Sequence, residues 1–275
     1  MVVKDHVISQ ESFTICKCNN CGLWFTNPRP DEEHIQDYYN SEAYISHEDK
    51  ITGVTDALYK LVRKITVKNK VNWVNEKSSK KGKLLDFGCG TGYFLKAAQA
   101  DGWQASGYEP NQKASEIARN KNNVTLYSTL DEISKTKKFD AITLFHVMEH
   151  VHNLDKTIKI LLERLKKRGS LFIALPNNQS PDALAFKENW AALDVPRHLY
   201  HFNKTSMQYF ADKYNLKITE IKPMVYDGYY ISILSNKIVN KNNNLFKSAL
   251  EGYKFNQLAR KTNDYSSLLF ILKKK

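Results

Sequence analysis

Lys83-Leu-Leu-Asp-Phe-Gly-Cys-Gly-Thr-Gly-Tyr-Phe-Leu95 is the stretch that decides how this chain folds. A short apolar run leads into glycines at 88, 90 and 92, and a helix-forming run follows, the order expected of a strand that turns sharply and enters a helix. Glycines at alternate positions let the backbone come close to a ligand, and the N–H groups of the first helical turn point toward it. A dinucleotide loop would read G-x-G-x-x-G, and here the third glycine comes one residue early. Asp86, two residues before Gly88, argues the same way. A carboxylate there pairs well with a cationic ammonium or sulfonium ligand and badly with pyrophosphate.

Outward from this loop, short apolar runs alternate with helical stretches. The runs are Leu84-Leu85, Gln104–Tyr108, Val124–Tyr127, Phe139–Phe145, Ser170–Leu175 and Leu216–Ile221, and a final strand begins near Tyr265. Such alternation implies βαβ units and a parallel sheet. The clearest helix starts at Asn153 as N-cap, carries Leu154, Ile158, Leu161, Leu162 and Leu165 on one stripe, and has Gly169 suited to its C′ position. Two helices, around Tyr229–Val239 and Leu245–Arg260, separate the sixth run from the last. The expected fold is α/β: a doubly wound, Rossmann-like seven-stranded sheet with an antiparallel last strand. Upstream, residues 55–76 read as a helix with Leu58, Leu61, Val62 and Ile65 at offsets 0, 3, 4 and 7, broken by Ser78-Ser79-Lys80-Lys81-Gly82. The expected organisation is an N-terminal cysteine-containing segment (1–45), a helical linker (46–82) and a ligand-binding domain (83–275) with a helical insertion at about 224–262.

The 275 residues suffice for one large α/β domain plus a small appendage. Net charge is +12 and unevenly placed: residues 1–50 carry 4 basic and 9 acidic side chains, residues 51–83 carry 9 and 2, and residues 224–275 carry 9 and 3. Basic flanks attract nucleic acid, anionic membrane surfaces or acidic substrates, or simply solvate a Lys-rich helix face. No apolar run approaches a membrane span, and the N-terminus lacks the apolar core of a signal peptide. A cytoplasmic protein is expected.

Glu109 closes the Gln104–Tyr108 run, 23 residues after Asp86, where a carboxylate can accept hydrogen bonds from both hydroxyls of a ribose. Together these elements resemble motif I and the second-strand acid of class I S-adenosylmethionine-dependent methyltransferases of the type 11/12/23-like kind, and the resemblance spans the chain from Lys83 onward. It implies S-adenosyl-L-methionine as cofactor and S-adenosyl-L-homocysteine as product. By it, Asp86, Gly88 and Gly90 line the methionine portion and Glu109 the ribose. Ser128, Thr129 and Leu130 lie near the adenine, Phe145 and His146 follow the fourth strand, and Cys89, Gly92 and Pro110 belong to the same cofactor-binding set.

Phe145-His-Val-Met-Glu-His-Val-His-Asn153 falls at the C-terminal end of the fourth strand, where open α/β sheets bind ligands. The segment resembles the Glu-x-x-Glu-His pattern with which small-RNA 2′-O-methyltransferases hold magnesium. His146 departs from that pattern, and magnesium prefers oxygen ligands. It is equally similar to the Met-Glu-His-Val segments of metal-independent small-molecule methyltransferases. Trp190-Ala-Ala-Leu-Asp-Val-Pro-Arg-His-Leu-Tyr-His-Phe-Asn203 gathers Trp190, Asp194, Arg197, Tyr200 and His201 as candidate acceptor contacts. His198, His150 and His146 are the candidate general bases, imidazole being suited to taking a proton near neutral pH. An internal Arg197–Asp194 pair with the aromatics docking the loop is the purely structural alternative. The loop is similar to a Trp...Asp-x-Pro-Arg-His-x-x-His-Phe stretch in a bacterial subfamily linked to surface-polysaccharide or sugar modification.

Cys16-x-Cys18-x-x-Cys21-Gly, followed by Asn27-Pro28-Arg29-Pro30, resembles the second half of the N-terminal zinc ribbon of that subfamily. A structural zinc takes four ligands; the first cysteine pair is missing here, leaving His6 or His34 as the fourth. These features point to O-methylation of a small-molecule acceptor, a sugar or related metabolite such as a nucleotide sugar or surface-polysaccharide precursor. The alternatives are an RNA methyltransferase using the basic flanks on phosphates, and a non-catalytic cofactor-binding protein.

Overall fold

A computed structural model describes residues 1–39, 54–78, 80–136, 138–240 and 244–275, with the side chains of 54–59 outside the description. The expected boundary at residue 45 and the Leu58 position of the helical stripe fall outside the described residues. Contacts divide the chain into two compact units, neither continuous in sequence. The first comprises Met1–Asp56, Leu175–Phe210 and Lys222–Leu269; the second comprises Ala57–Ala174, Ala211–Ile221 and Phe270–Lys275. This differs from the three successive segments read from the sequence, because the N-terminal strands pair with a strand far downstream.

In the first unit, β1 (Val2–Lys4), β2 (Ser12–Lys17), β3 (Trp24–Thr26) and β9 (Tyr200–His201) form a sheet in that order, antiparallel throughout. Trp24 lies opposite His201 and Phe25 opposite Tyr200. Val3 and Ile15 from the sheet bury with Trp190, Leu193, Val195 and Ile231 in one apolar cluster.

The larger sheet has seven strands: β4 (Lys83–Phe87), β5 (Gln104–Tyr108), β6 (Thr125–Tyr127), β7 (Phe139–Phe145), β8 (Leu165–Pro176), β10 (Leu216–Pro223) and β11 (Ser267–Lys274). Their order is β10-β11-β8-β7-β4-β5-β6. β4, β5, β6, β7 and β8 pair in parallel. The Thr219 hydroxyl donates to the Ile271 carbonyl and the Met224 amide to that of Ser267, so β11 runs against β10. The last strand is therefore antiparallel and interior to the sheet. Strands covered on both faces need continuous apolar runs, and Leu84, Leu85, Ile142, Leu144, Leu171, Phe172 and Ile173 are completely buried.

Helices enter with side-chain caps. Asn111 caps α3 (Gln112–Asn122), Thr129 caps α4 (Leu130–Ser134), Asn153 caps α5 (Leu154–Arg164) and Ser180 caps α6 (Pro181–Phe186). α5 ends at Arg164, so Gly169 is not its C′ residue. It lies within β8, where a register shift carries the pairing from Phe139 opposite Leu165 to Ala141 opposite Ser170. A Cβ at Gly169 would stand 3.0 Å from the Asp140 carbonyl, so close strand approach, and not helix termination, explains this glycine. The remaining helices are α1 (Val54–Lys77), α2 (Tyr93–Ala100), α7 (Lys204–Lys213), α8 (Val225–Asn240) and α9 (Leu245–Thr262), the last two forming the helical insertion before β11. None of the described helices is long and apolar enough to cross a membrane.

Candidate active site

Within the second unit, β4 delivers Asp86 to the C-terminal edge of the sheet, the place where open α/β folds bind ligands. Its carboxylate is buried and accepts a hydrogen bond from the Thr143 hydroxyl of β7. Burial pushes its pKa up to about 6 against the lowering effect of Thr143 and of the Lys70 ammonium. A cation placed beside it would restore the ionised form.

The loop that follows is shaped around space. Gly88 and Cys89 both donate their amides to the Tyr108 carbonyl, which ties the turn to β5. Gly90 holds φ at +53°, and a Cβ built on it would meet no described atom within 4 Å. The Gly90 amide donates to one Glu109 oxygen at 2.8 Å, while the other oxygen accepts the Asn111 amide at 2.9 Å. Gly92, in the left-handed region, is the N-cap of α2 without a capping side chain. The carboxylates of Asp86 and Glu109 thus flank a positive-φ loop at a helix N-terminus, a constellation that fits a cationic, ribose-bearing ligand.

The other expected cofactor residues divide by exposure and task. Cys89 is buried, its thiol pushed far up by desolvation, and its sulfur packs over Gly107. Pro110 is exposed and Thr129 uses its hydroxyl to cap α4, with Leu130 half-buried beside it. Phe145 ends β7 with its ring edge-on to Phe94, the centroids 5.0 Å apart. His146 takes a left-handed backbone (φ +59°), donates its amide to the Ala174 carbonyl, and sets its Nδ1 3.6 Å from a carboxylate oxygen of buried Glu149. His150 closes the single 3-10 turn of Met148–His150.

Two residues that the sequence reading left out belong to this edge. Lys70 of α1 holds its ammonium 4.4 Å from the Phe145 ring centroid and acts electrostatically on Asp86; Arg63, two turns earlier, lies over Tyr93 at 4.5 Å. The stretch read as a linker is therefore a wall of the second unit. Lys70 and Arg63 lie seven residues apart, on one face of the helix, and that spacing of two cations was the available signal.

The Trp190–Asn203 stretch belongs to the first unit and is built differently. Arg197 is 1% exposed. Its guanidinium donates to Asp194, to Asp5 and to the Tyr38 carbonyl. These donors tie the loop to Asp5, just after β1, and to the 3-10 turn that ends at Tyr38, and they include the internal Arg197–Asp194 pair of the structural alternative. Burial would raise the Asp5 pKa, but the Ser9 amide and Arg197 hold it below the ordinary carboxylate range. Trp190 donates its indole N–H to buried Asp182 at 2.7 Å, and the His201 Nε2 lies 3.2 Å from the Thr26 hydroxyl. Tyr200 receives the Arg29 guanidinium over its ring. His198 is buried with Nδ1 2.8 Å from the Ala192 carbonyl.

Cys16 lies on β2, and Cys18 and Cys21 stand at the β2–β3 turn. Amide donation from Cys21 and Asn20, and then the Cys21 thiol, lowers the Cys18 pKa. The Nδ1 of His34 lies 2.7 Å from Asp31. Among the described residues, no group of three or more potential ligands that includes any of these cysteines lies within 4.8 Å.

Residues 63–221 match the model of a methyltransferase domain family, more than half of the chain. The chain belongs to this methyltransferase family. Its seven-stranded sheet with an antiparallel last strand is the Rossmann-like fold of such domains. Curated relatives include a ubiquinone biosynthesis O-methyltransferase of Rickettsia bellii (strain OSU 85-389), 24% identical over 160 residues that cover 52% of this chain and 65% of the relative. Another, from Pelagibacter ubique (strain HTCC1062), is 33% identical over 109 residues, covering 38% and 45%. The chain therefore spans less than two thirds of the length of these relatives. In fold it is similar to the magnesium protoporphyrin IX methyltransferase of Synechocystis PCC 6803 with bound S-adenosylhomocysteine: TM-score 0.58, 14% identity, 89% of this chain and 100% of that one.

Proposed function

We propose that this methyltransferase holds S-adenosylmethionine with Asp86, the Gly88–Gly92 loop and Glu109, and methylates an oxygen of a small-molecule acceptor. The observation that carries the reading is Asp86: a buried carboxylate, raised to about 6, on the strand that leads into the loop where Gly90 at positive φ borders open space. Ionised Asp86 would attract the cationic end of the cofactor. Glu109, whose oxygens accept the Gly90 and Asn111 amides beside the loop, would also accept the ribose hydroxyls. When bound, the cofactor supplies an electrophilic methyl group. The chain contributes position and exclusion of water, with Phe145 as an apolar wall. His146 takes the proton of the acceptor hydroxyl at Nε2, and Glu149 next to Nδ1 orients the ring. O-methylation rests on the names of the curated relatives. They do not support a sugar or nucleotide-sugar acceptor, and the proposal stops at a hydroxyl-bearing small molecule.

Calorimetric titration with S-adenosylhomocysteine tests the cofactor half, and the absence of saturable binding would sink it. For the base, His146→Ala should lower turnover by about 10²-fold or more while leaving cofactor affinity intact. His150→Ala and His198→Ala, assayed beside it, serve as the competing assignments. Full activity in His146→Ala with loss in either of the others would move the role there.

A further inference from the structure

The two insertion helices of the first unit carry a polarity pattern turned inside out. α9 packs on α8 with Ser248, Gly252, Asn256 and Ala259, a row of small or polar side chains at spacings of four, four and three. The approach is close: a Cβ on Gly252 would stand 2.9 Å from the Tyr229 Cα. The opposite face carries the large apolar groups. Phe246 is 80% exposed, Leu250 46% and Tyr253 50%, at spacings of four and three that align them on one stripe. A helix meant to face water would reverse this distribution. Beside the stripe runs a second row, Lys247, Lys254 and Lys261, all exposed and spaced seven apart. The one acid of α9, Glu251, turns toward α8 and accepts from Asn236 at 2.6 Å.

We infer that the outward face of α9 docks on an anionic lipid surface. An apolar stripe with an aromatic at its exposed end, flanked by a lysine row and with its acid turned away, is the arrangement that places apolar side chains at the headgroup boundary and ammonium groups against lipid phosphates. Charge complementarity selects this occupant, since a self-association through the same face would set lysine rows near one another. The inference goes beyond the methyl-transfer reading and does not rest on it.

The full chain is to be sedimented with phosphatidylglycerol-containing vesicles and with pure phosphatidylcholine vesicles, at about 0.05 M and about 0.5 M salt. Expected are binding to the anionic vesicles, at least tenfold weaker binding to the neutral ones, and loss at high salt. A Phe246→Ser/Leu250→Ser variant and a Lys247→Glu/Lys254→Glu/Lys261→Glu variant should each bind about tenfold more weakly. Should the serine variant fail to fold, Phe246→Trp replaces it: its added emission should shift to the blue on anionic vesicles alone. Equal partition of the wild type and the variants, no binding to anionic vesicles, or an unshifted tryptophan would overturn the inference. So would a concentration-dependent dimer in sedimentation velocity that Phe246→Ser abolishes.

Discussion

The Asp86–Gly92 loop and the Asp194–His201 loop invite the same description: charged and flexible residues gathered after a strand. They differ in what lies beside the backbone. In the first, Gly90 at positive φ borders open space, while Asp86 accepts from Thr143 and Glu109 from two backbone amides. In the second, the charges close on one another, Arg197 on Asp194 and Asp5, Trp190 on Asp182, His201 on Thr26. A loop closed on itself suits scaffolding, and one that leaves space beside its backbone suits a ligand. Residue type alone does not separate the two cases.

The largest effect that follows is on stability. Arg197→Ala leaves two carboxylates facing each other without their cation, and should cost about 3–5 kcal/mol in chemical denaturation. A variant of undiminished stability but raised acceptor KM would return Arg197 to the substrate side. Next comes Asp86. Its carboxyl titrates near 3.8 when unfolded and about 6 when folded, so the folded state binds its proton more tightly. The stability this confers is present below pH 3.8 and is lost as pH rises through about 6, on the order of 3 kcal/mol. Asp86→Asn should escape that loss, melting above the wild type beyond pH 6, while binding cofactor more weakly; parallel melting curves from about pH 4 to 7 would refute the assignment.

Glu109→Ala should weaken S-adenosylhomocysteine binding at least tenfold, because hydrogen bonds to a charged group contribute roughly 1.5 to 3 kcal/mol each. Unchanged calorimetry would remove Glu109 from the site. The smallest effect belongs to Lys70. Lys70→Met leaves the Phe145 ring covered but withdraws a cation that favours ionised Asp86, so affinity near neutral pH should shift only severalfold and the Asp86 titration should move upward. A downward movement would contradict the electrostatic role.

The sheet and its glycine loop were legible because they depend on neighbours in sequence: alternating runs, Gly88-x-Gly90-x-Gly92, and an acid at the end of the next strand. Both insertion helices were legible for the same reason. What escaped depends on distance along the chain. Nothing local to Arg197 announces Asp5, 192 residues away. The stripe of Leu61, Val62 and Ile65 marks a helix, but Leu61 is 55% exposed and the buried apolar residues described in α1 are Val71 and Val74, so the stripe does not point to Lys70. Gly169 reads as a helix stop because a glycine after an apolar stripe has that meaning locally; the neighbouring Asp140 carbonyl, which only the folded sheet supplies, gives it another.

The Asp5–Arg197 pair also sets an order in time. During synthesis at about 5–20 residues per second, the N-terminal hairpin waits roughly 10–40 s before its guanidinium leaves the ribosome. Through that interval Asp5 has the Val7, Ile8 and Ser9 amides and the Ser9 hydroxyl to accept from. A nascent chain stalled before residue 197 therefore carries β1 and β2 without the cation that anchors them, and β3 without its partner β9. Such a chain presents an open strand edge to its surroundings, so strands made well before their partner are late to become secure.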